Sequence, residues 1–149
     1  ILWFVNNCKA KFRFKIALDI SKHYPINIYT SCDLNEMIEN FRQENYPNLS
    51  LISEKCEKES KCEQEQFESF KYYLAFENRN CSDYITEKIW KSFSSHMIPI
   101  VIQPTRQSYT NYHIPSKAYI HLDDFKFDSS KLADHLKNID KNFTLYYDY

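Results

Sequence analysis

Residues 72–90 read YYLAFENRNCSDYITEKIW. They change from a strand-like apolar run to helical spacing, and the rest of the chain is interpreted from this change. Residues 72–76 form a short aromatic and apolar run followed by polar residues, and this pattern predicts a buried strand. Helical spacing from Ile85 onward predicts a helix, and Asp83 or Thr86 can cap its N-terminus. The residues predicted on the covered face of this helix are Ile85, Ile89, Trp90 and Phe93.

A strand, a polar loop and a helix N-terminus in this order predict a site for an anionic ligand. Helix N-termini favour negative charge, and ligands of parallel α/β sheets bind beyond the carboxyl ends of the strands. The polar side chains near the loop are Asn78, Asn80, Tyr84, Thr86, Glu87 and Lys88. Glu87 and Lys88 alone are equally typical of a first-turn acid beside a surface lysine, and only their polar neighbours favour a binding site.

Each of these side chains suits a different part of a phosphate-bearing sugar ligand. Lys88 offers a positive charge to a phosphate, whereas Glu87 and Asn78 can hydrogen-bond sugar hydroxyls. Tyr84 can hydrogen-bond a phosphate or lie against a ring. The loop therefore predicts a nucleotide-type or sugar-type ligand.

Four further apolar runs predict strands on either side of this segment: residues 2–5, 26–29, 98–102 and 118–122. Pro99 lacks a ladder N–H, which predicts either an edge strand or one missing ladder bond. Arg13 is placed near the start of the first predicted helix, where it can face an anion, but on pattern alone a solvated helix cation is favoured. The alternation of strands and helices predicts a three-layer α/β domain with a mostly parallel sheet.

Three helices are predicted from apolar residues at helical spacing. The first covers residues 12–24 and ends before Pro25, the second is capped by Ser129 or Ser130, and the third begins at Asn142. The residues expected on the covered faces of the first two are Phe12, Ile16, Ile20, Leu132, Leu136 and Ile139.

Residues 31–70 differ from this pattern because they are polar, rich in Glu and Lys, and weakly periodic. A short helix around residues 35–42 fits part of the segment. We otherwise interpret it as a polar, cysteine-containing excursion from the domain, with its charge run EKCEKESKCEQEQ solvated.

Composition limits the classes of function. The chain has 149 residues, which suits one domain, and its net charge of −1 offers no basic surface for nucleic acid. No apolar run approaches a membrane-spanning helix, and the first residues carry no targeting pattern, so we interpret the chain as a fragment incomplete at both ends. The chain contains no glycine, which rules out a glycine-rich phosphate loop and predicts turns built from Asn, Asp, Ser or Pro.

Five cysteines and three glycosylation sequons are informative about the cellular compartment of the protein. Cys8, Cys32, Cys56, Cys62 and Cys81 do not have a standard zinc spacing, so they are either reduced thiols of a cytosolic protein or disulfide partners. Sequons at Asn48, Asn80 and Asn142 favour the second alternative, and Asn48 and Asn142 are the candidate glycosylation sites. We predict at least one disulfide with one thiol left over, and a disulfide partner for Cys81 rather than a nucleophilic role.

Two other groups are more typical of structure than of chemistry. Asp123 and Asp124 resemble a metal-binding pair, but an acidic doublet at a strand end more often forms a turn and a helix entry. His96, His113 and His121 are most simply surface or loop residues.

The central segment resembles the signature of the α1,3-fucosyltransferases, which are glycosyltransferases of family 10. FEN, a short gap, Cys81 and DYITEK carry the resemblance. Further stretches follow in the family's order: WFVNNC with Arg13, INIYTSCD, IPIVIQP, AYIHLDDF and LADHLKNIDKN.

This resemblance implies a fold and a function for the chain. The fold would be a Rossmann-like domain over residues 1–149, corresponding to the C-terminal, GDP-fucose-binding half of a GT-B enzyme. Such enzymes transfer fucose from GDP-fucose to a glycan or glycoprotein acceptor of GlcNAc type, in α1,3 linkage with inversion. The resemblance assigns Arg13 and Lys88 to the diphosphate, and it assigns Asn78, Tyr84 and Glu87 to the donor pocket.

The family also implies what this chain would lack. The catalytic base belongs to the N-terminal domain, so no catalytic residue and no metal ligand is expected here, and a divalent metal is not expected to be essential. The full-length protein is expected to be a type II Golgi membrane protein facing the lumen, with its membrane anchor upstream.

Departures from the family pattern leave two other functions open. The family usually has Ser at positions 6 and 79, where this chain has Asn6 and Arg79, and Gly where Thr30, His96 and Gln103 stand. A catalytically silent nucleotide-sugar-binding or interaction module is the first alternative. A secreted, disulfide-linked domain without a nucleotide site is the second.

Overall fold

A computed structural model describes residues 1–37, 41–52, 56–57 and 59–149 of the chain. Its centre is a six-stranded sheet with the order β3-β2-β1-β4-β5-β6, and every neighbouring pair is parallel. The strands are β1 (Leu2–Phe4), β2 (Ile26–Tyr29), β3 (Leu49–Ile52), β4 (Tyr72–Leu74), β5 (Ile98–Val101) and β6 (Ile120–His121). The predicted α/β class and parallel sheet are confirmed.

Helices cover both faces of the sheet. They are α1 (Lys11–Ser21), α2 (Leu34–Met37), α3 (Lys61–Ser69), α4 (Glu87–Ser94), α5 (Arg106–Asn111), α6 (Ser129–Lys141) and α7 (Phe143–Tyr147). Short 3-10 helices cover Gln43–Asn45 and Leu122–Phe125. No helix in the described ranges is long and apolar enough to cross a membrane.

The core lies in two layers because successive strand residues point to opposite faces of the sheet. Trp3 belongs to the layer beneath α1 and α6, whereas Leu2 belongs to the layer beneath α3, α4 and α5. Phe14 and Leu136 bring α1 and α6 into the first layer, and Ile89 brings α4 into the second. The predicted three-layer arrangement is therefore confirmed.

The interpretation of residues 31–70 as an irregular excursion is wrong for much of the segment. It contributes β3, which pairs in parallel with β2, and the nine-residue helix α3. Ser50 and Leu51 of β3 are exposed because this strand lies at the sheet edge, and α3 buries only Phe67. Neither element therefore shows clear periodicity. Of the predicted helix over residues 35–42, α2 accounts for the beginning, and residues 38–40 lie outside the described ranges.

Several predicted burial positions are wrong, whereas one of the two alternatives for Pro99 is correct. Phe12 is 41% exposed and Trp90 is 46% exposed, because the covered sides of α1 and α4 are rotated away from them. Pro99 stands opposite Tyr73 in an interior strand, so the missing ladder N–H is the correct alternative. His121, expected at the surface, is completely buried.

One of the caps of the two C-terminal helices differs from the prediction. Asp128, rather than Ser129 or Ser130, caps α6 by accepting bonds from the Ser130 and Lys131 backbone N–H groups. Asn142 begins α7 as predicted, and its side-chain oxygen accepts from Thr144 N at 3.1 Å. Because this cap uses the side-chain oxygen, the amide nitrogen of exposed Asn142 takes no part in it. Glycosylation of Asn142 and of half-buried Asn48 stays a prediction.

Two disulfides are present, which confirms the prediction of at least one. Cys8 follows β1 and Cys32 follows β2, so the first disulfide, with Cα atoms 5.6 Å apart, joins the carboxyl ends of neighbouring strands. Cys56, which precedes α3, pairs with Cys62 in the first turn of that helix. Cys81 is a free, exposed thiol, so the prediction that it pairs is wrong.

The expectation that turns use only Asn, Asp, Ser or Pro is wrong as well. Within the described ranges, six residues other than glycine have positive φ, and Asp83 is the only one of an expected type. The others are Glu59, His96, His113, Lys126 and Phe127. A left-handed conformation costs a non-glycine residue about 1–2 kcal/mol, so the packing around these turns offsets a real penalty.

We expect His96→Gly to stabilise the fold by about 0.5–1 kcal/mol. His96 follows α4 with φ of 53°, its N–H bonds to Phe93 O and the next N–H bonds to Ser92 O, which is the helix-ending motif that favours glycine. Glycine removes the Cβ clash but also adds entropy to the unfolded chain. Chemical denaturation measures the difference.

His23→Gly is the matched control for this prediction, because His23 is exposed in the turn after α1 and does not have positive φ. We expect His23→Gly to be neutral or destabilising. An equal response of the two variants would contradict a specific strain at His96.

Candidate functional site

A buried carboxylate, which sequence reasoning missed, organises the predicted site. Glu77 follows β4 and is only 1% exposed. Its carboxylate accepts hydrogen bonds from Thr86 N at 2.7 Å and Thr86 Oγ1 at 2.8 Å, and from Lys88 Nζ at 2.5 Å. Glu77 thus joins the end of β4 to the start of α4 across the intervening loop.

The N-terminus of α4 is fixed by this carboxylate rather than by a side-chain cap. Thr86 occupies the predicted N-cap position, but its hydroxyl bonds to Glu77 and makes no cap bond to the helix. In the sequence, Glu77 is recognisable only as one of the polar residues that follow the strand predicted over residues 72–76. A buried acid normally has a charged partner, and here that partner, Lys88, is eleven residues further along the chain.

Lys88 is held in place but still accessible. Its side chain is 16% exposed, and its ammonium contacts Glu77 and Thr86 Oγ1, the latter at 2.8 Å. An ammonium carries three N–H donors, and contacts with the described residues use two of them, so one remains for a ligand. Lys88 therefore combines a fixed position with an unused donor.

Lys88 and Glu87 both line a pocket of about 210 Å³ at the carboxyl end of β1 and beside β4. The side chains around it come from β1, β4, α3, α4 and the Cys56 segment, and the pocket includes Asn6 at the exit of β1. Its charged residues are Glu63, Glu87, Lys88 and Lys91, so acids and bases are equal in number. The structure thus brings two of the five predicted residues together at one opening.

Arg13 lies beside this cluster but is not the solvated cation that pattern alone predicted. It is 1% exposed, and its guanidinium donates to Phe76 O at 2.9 Å and to Asn7 O at 3.2 Å. Burial lowers the pKa of Arg13, while the negative charge of Glu77 acts in the opposite direction. The guanidinium also lies 5.6 Å from the centre of the Trp3 ring.

Arg13 therefore ties the exit of β1 to the exit of β4, and this is a structural role. Among the described residues its Nε is buried without a hydrogen-bond partner. A diphosphate contact for Arg13 stays a prediction.

Asn78 and Tyr84 are half-buried in the loop between β4 and α4, and neither lines the 210 Å³ pocket. Arg79 in the same loop is exposed and does not crowd the pocket. The assignment of Asn78 and Tyr84 to ligand binding stays a prediction.

The loop is held against α5 and the end of β5. Ser108 Oγ accepts from Asp83 N at 3.2 Å, and Tyr112 donates to Asp83 O at 3.2 Å. Gln103 donates to Glu77 O at 3.0 Å and accepts from Tyr109 OH at 2.8 Å. Gln103 therefore supports the backbone at Glu77 with its side chain.

His121 is the buried polar residue at the end of β6. Its Nδ1 accepts from Asp123 N at 3.2 Å, so Nε2 carries the proton and donates to Pro104 O at 3.0 Å. This pair of bonds fixes the tautomer and joins the exit of β6 to the exit of β5.

The acidic doublet has separate structural roles. Asp124 pairs with Arg106, whose Nε lies 3.0 Å from an Asp124 oxygen, and Asp123 lies beside His121. Among the described residues, no group of three or more His, Cys, Asp or Glu could hold a metal ion. That a metal is not essential stays a prediction.

Comparisons with known proteins agree with the family that the central segment resembles. The family model described as "Glycosyltransferase family 10 (fucosyltransferase) C-term" matches residues 1–149. The mouse 4-galactosyl-N-acetylglucosaminide 3-alpha-L-fucosyltransferase 9 is 47% identical over 79 residues, which are 53% of this chain and 21% of that protein. The bovine Alpha-(1,3)-fucosyltransferase 4 is 47% identical over 81 residues, or 54% of this chain and 20% of that protein.

Solved structures show the same fold. Crystal structures of an alpha1,3-fucosyltransferase with GDP-fucose and with GDP each align with a TM-score of 0.65 and 22% identity, over 99% of this chain and 36% of the other. This identity supports the fold alone. The chain spans about a fifth of the length of the curated relatives it matches. Because the family model covers every residue, the chain belongs to glycosyltransferase family 10, the fucosyltransferases, and corresponds to the family's C-terminal domain.

Proposed function

We propose that this chain binds GDP-fucose as the donor-binding part of an α1,3-fucosyltransferase that acts on a glycan or glycoprotein acceptor of GlcNAc type, with inversion. The observation that carries the proposal is the cluster of Glu77, Thr86 and Lys88, which presents an ammonium group at the N-terminus of α4. Family membership selects the ligand, since the similar proteins are named as fucosyltransferases and one solved neighbour contains GDP-fucose.

The cluster suits the charge that develops when GDP leaves. In the transition state, negative charge grows on the phosphate oxygen, and donors that are already oriented stabilise it without further rearrangement. Lys88 would contact the diphosphate, and the first N–H groups of α4 would add their partial charge. Arg13 would act through Phe76 and Asn7 by holding the two strand exits together, or directly on a phosphate if the ligand reaches its buried guanidinium.

Pocket size supports a two-part site. The pocket of about 210 Å³ is smaller than the roughly 300 Å³ at which small-molecule sites usually begin. A nucleotide sugar would therefore need further walls, and an acceptor domain on the other side would supply them together with the catalytic base.

The two disulfides support a secretory location. Disulfides persist in oxidising compartments, and Cys8–Cys32 and Cys56–Cys62 account for four of the five cysteines. We propose a luminal Golgi location for the full-length protein, with anchoring upstream of these residues.

Thermal unfolding with GDP tests the proposed donor site. A ligand that binds only the folded chain raises its melting temperature by mass action, and we expect GDP and GDP-fucose to do so at millimolar concentration, with UDP as the control nucleotide. Transfer assays with an acceptor glycan then separate a silent module from an enzyme. No shift with GDP, or an equal shift with UDP, would contradict the proposal.

We expect Lys88→Ala to weaken GDP binding by roughly 1–3 kcal/mol, the range of a hydrogen bond to a charged group. Calorimetric titration measures the affinity, and a melt without ligand shows whether the variant is folded. Lys61→Ala is the matched control because Lys61 is a highly exposed lysine on α3. Asp123→Ala should leave GDP binding unchanged. If Asp123→Ala lost GDP binding while Lys88→Ala kept it, the cluster around Lys88 would not be the GDP site.

A further inference from the structure

A second opening adjoins the proposed donor pocket. A groove of about 370 Å³ lies between α3 and α4, and its walls include Glu63, Glu87 and Lys91, which also line the 210 Å³ pocket. Its volume falls within the usual range of small-molecule sites. The two openings are therefore neighbours on the same side of α4.

Trp90 is the feature of this groove that packing does not explain. Its side chain is 46% exposed, whereas Trp3, the other tryptophan of the chain, is fully buried. Phe93 supports the indole from one side in an edge contact with ring centres 5.8 Å apart. An indole held in this way offers an apolar face to a ligand and an N–H at its edge.

Polar groups that donate hydrogen bonds, accept them or do both surround the indole. The groove is lined by the hydroxyls of Ser60 and Ser94, the amide of Gln64 and the carboxylate of Glu59. Gln64 donates to Glu68 at 3.1 Å and Ser94 donates to Trp90 O at 3.0 Å, so both side chains have one anchoring bond. Sugar hydroxyls donate and accept in the same way, whereas ammonium and guanidinium groups only donate.

The charged side chains of the groove limit which sugars it can bind. Three carboxylates, from Glu59, Glu63 and Glu87, line the groove with one ammonium, that of Lys91. Lys91 Nζ is bound to both Glu63 oxygens, at 3.0 and 2.8 Å. The excess of carboxylate disfavours phosphates and acidic sugars.

We propose that the groove between α3 and α4 binds a neutral hexose unit of the acceptor glycan, with one sugar face on Trp90. This proposal rests on the proposed function, because the groove matters for transfer only if the adjoining pocket holds the donor. It adds to that function a position for the acceptor and a preference for uncharged glycans.

NMR titration of the 149-residue chain with the neutral disaccharide galactosyl-N-acetylglucosamine tests the proposal. The two tryptophans give two indole N–H signals, of which we expect the Trp90 signal to shift with saturation at millimolar sugar while the Trp3 signal stays. The sialylated form of the same sugar should bind about fivefold more weakly, as one added like charge implies.

Substitutions identify the residue responsible. We expect Trp90→Ala to weaken sugar binding about tenfold, and Trp90→Phe to keep part of the affinity. The control is Phe143→Ala, which removes an exposed aromatic ring on α7, away from the groove. Unchanged affinity in Trp90→Ala would overturn the proposal.

The GDP melt, repeated on Trp90→Ala, separates the two proposals. Normal GDP stabilisation without a Trp90 response to sugar would overturn the glycan subsite and leave the donor site standing. A Trp90 response to sugar without GDP stabilisation would support the groove and contradict the donor site. A Trp90 response to a lysine- and arginine-rich peptide in place of the sugar would show a groove for cations and also overturn the proposal.

Discussion

Glu77→Ala is expected to lower the free energy of unfolding by about 3–5 kcal/mol and to remove stabilisation by GDP, because it leaves a largely buried lysine without its partner. The carboxylate is almost completely buried and accepts from Thr86 N, Thr86 Oγ1 and Lys88 Nζ. Without it, the start of α4 loses the group that fixes it, and Lys88 loses its position. Chemical denaturation and GDP titration measure the two effects.

Two controls separate this effect from the simple loss of a surface charge. Glu65→Ala removes an acid whose pair with Lys61 is well exposed, and we expect a change below about 1 kcal/mol. The double variant Glu77→Ala/Lys88→Met should recover part of the stability, since no unpaired charge is left. A loss in Glu77→Ala as small as that in Glu65→Ala would contradict the role assigned to Glu77.

The second large effect concerns the disulfides. Cys8→Ser should lower the free energy of unfolding by about 3.5 kcal/mol and Cys56→Ser by about 2.4 kcal/mol, according to the loop-closure entropy of the unfolded chain. The difference follows from sequence separations of 24 and 6 residues. Denaturation of each variant, purified under oxidising conditions, measures the losses.

Cys81→Ser is the matched control, because Cys81 is an exposed free thiol and its replacement should change stability by less than about 0.5 kcal/mol. Thiol counting and mass mapping of protein secreted from eukaryotic cells should find two disulfides and one thiol. Five free thiols in folded material would contradict both disulfides and remove a main support for a luminal location.

The fold could be predicted where a segment is fully buried. β1, β2, β4, β5 and β6 are short apolar runs because both faces of a parallel sheet are covered, and such runs are visible in a sequence. β3 could not be recognised in this way. It pairs only with β2 and exposes two of its four residues, so its pattern resembles that of a loop.

The sequence was sufficient to locate the site but not to predict which of its side chains are buried and what they contact. The order of strand, loop and helix placed Lys88 and Glu87 at a helix N-terminus, and the structure puts both at one pocket. The burial of Arg13 and Glu77 could not be predicted, because a side chain's burial depends on which distant backbone covers it. Phe76 O, the partner of Arg13, is 63 residues away in the chain.

The sequence by itself determined the family, the parallel α/β class and the position of the helix N-terminus, because these depend on local runs and on a motif of contiguous residues. Only the tertiary structure decided which charges are buried, which cysteines pair, and that Trp90 faces a groove rather than the core. The physical reason is that strand and helix propensity act over a few residues. Desolvation, charge pairing and disulfide geometry depend instead on contacts between segments that are far apart in the chain.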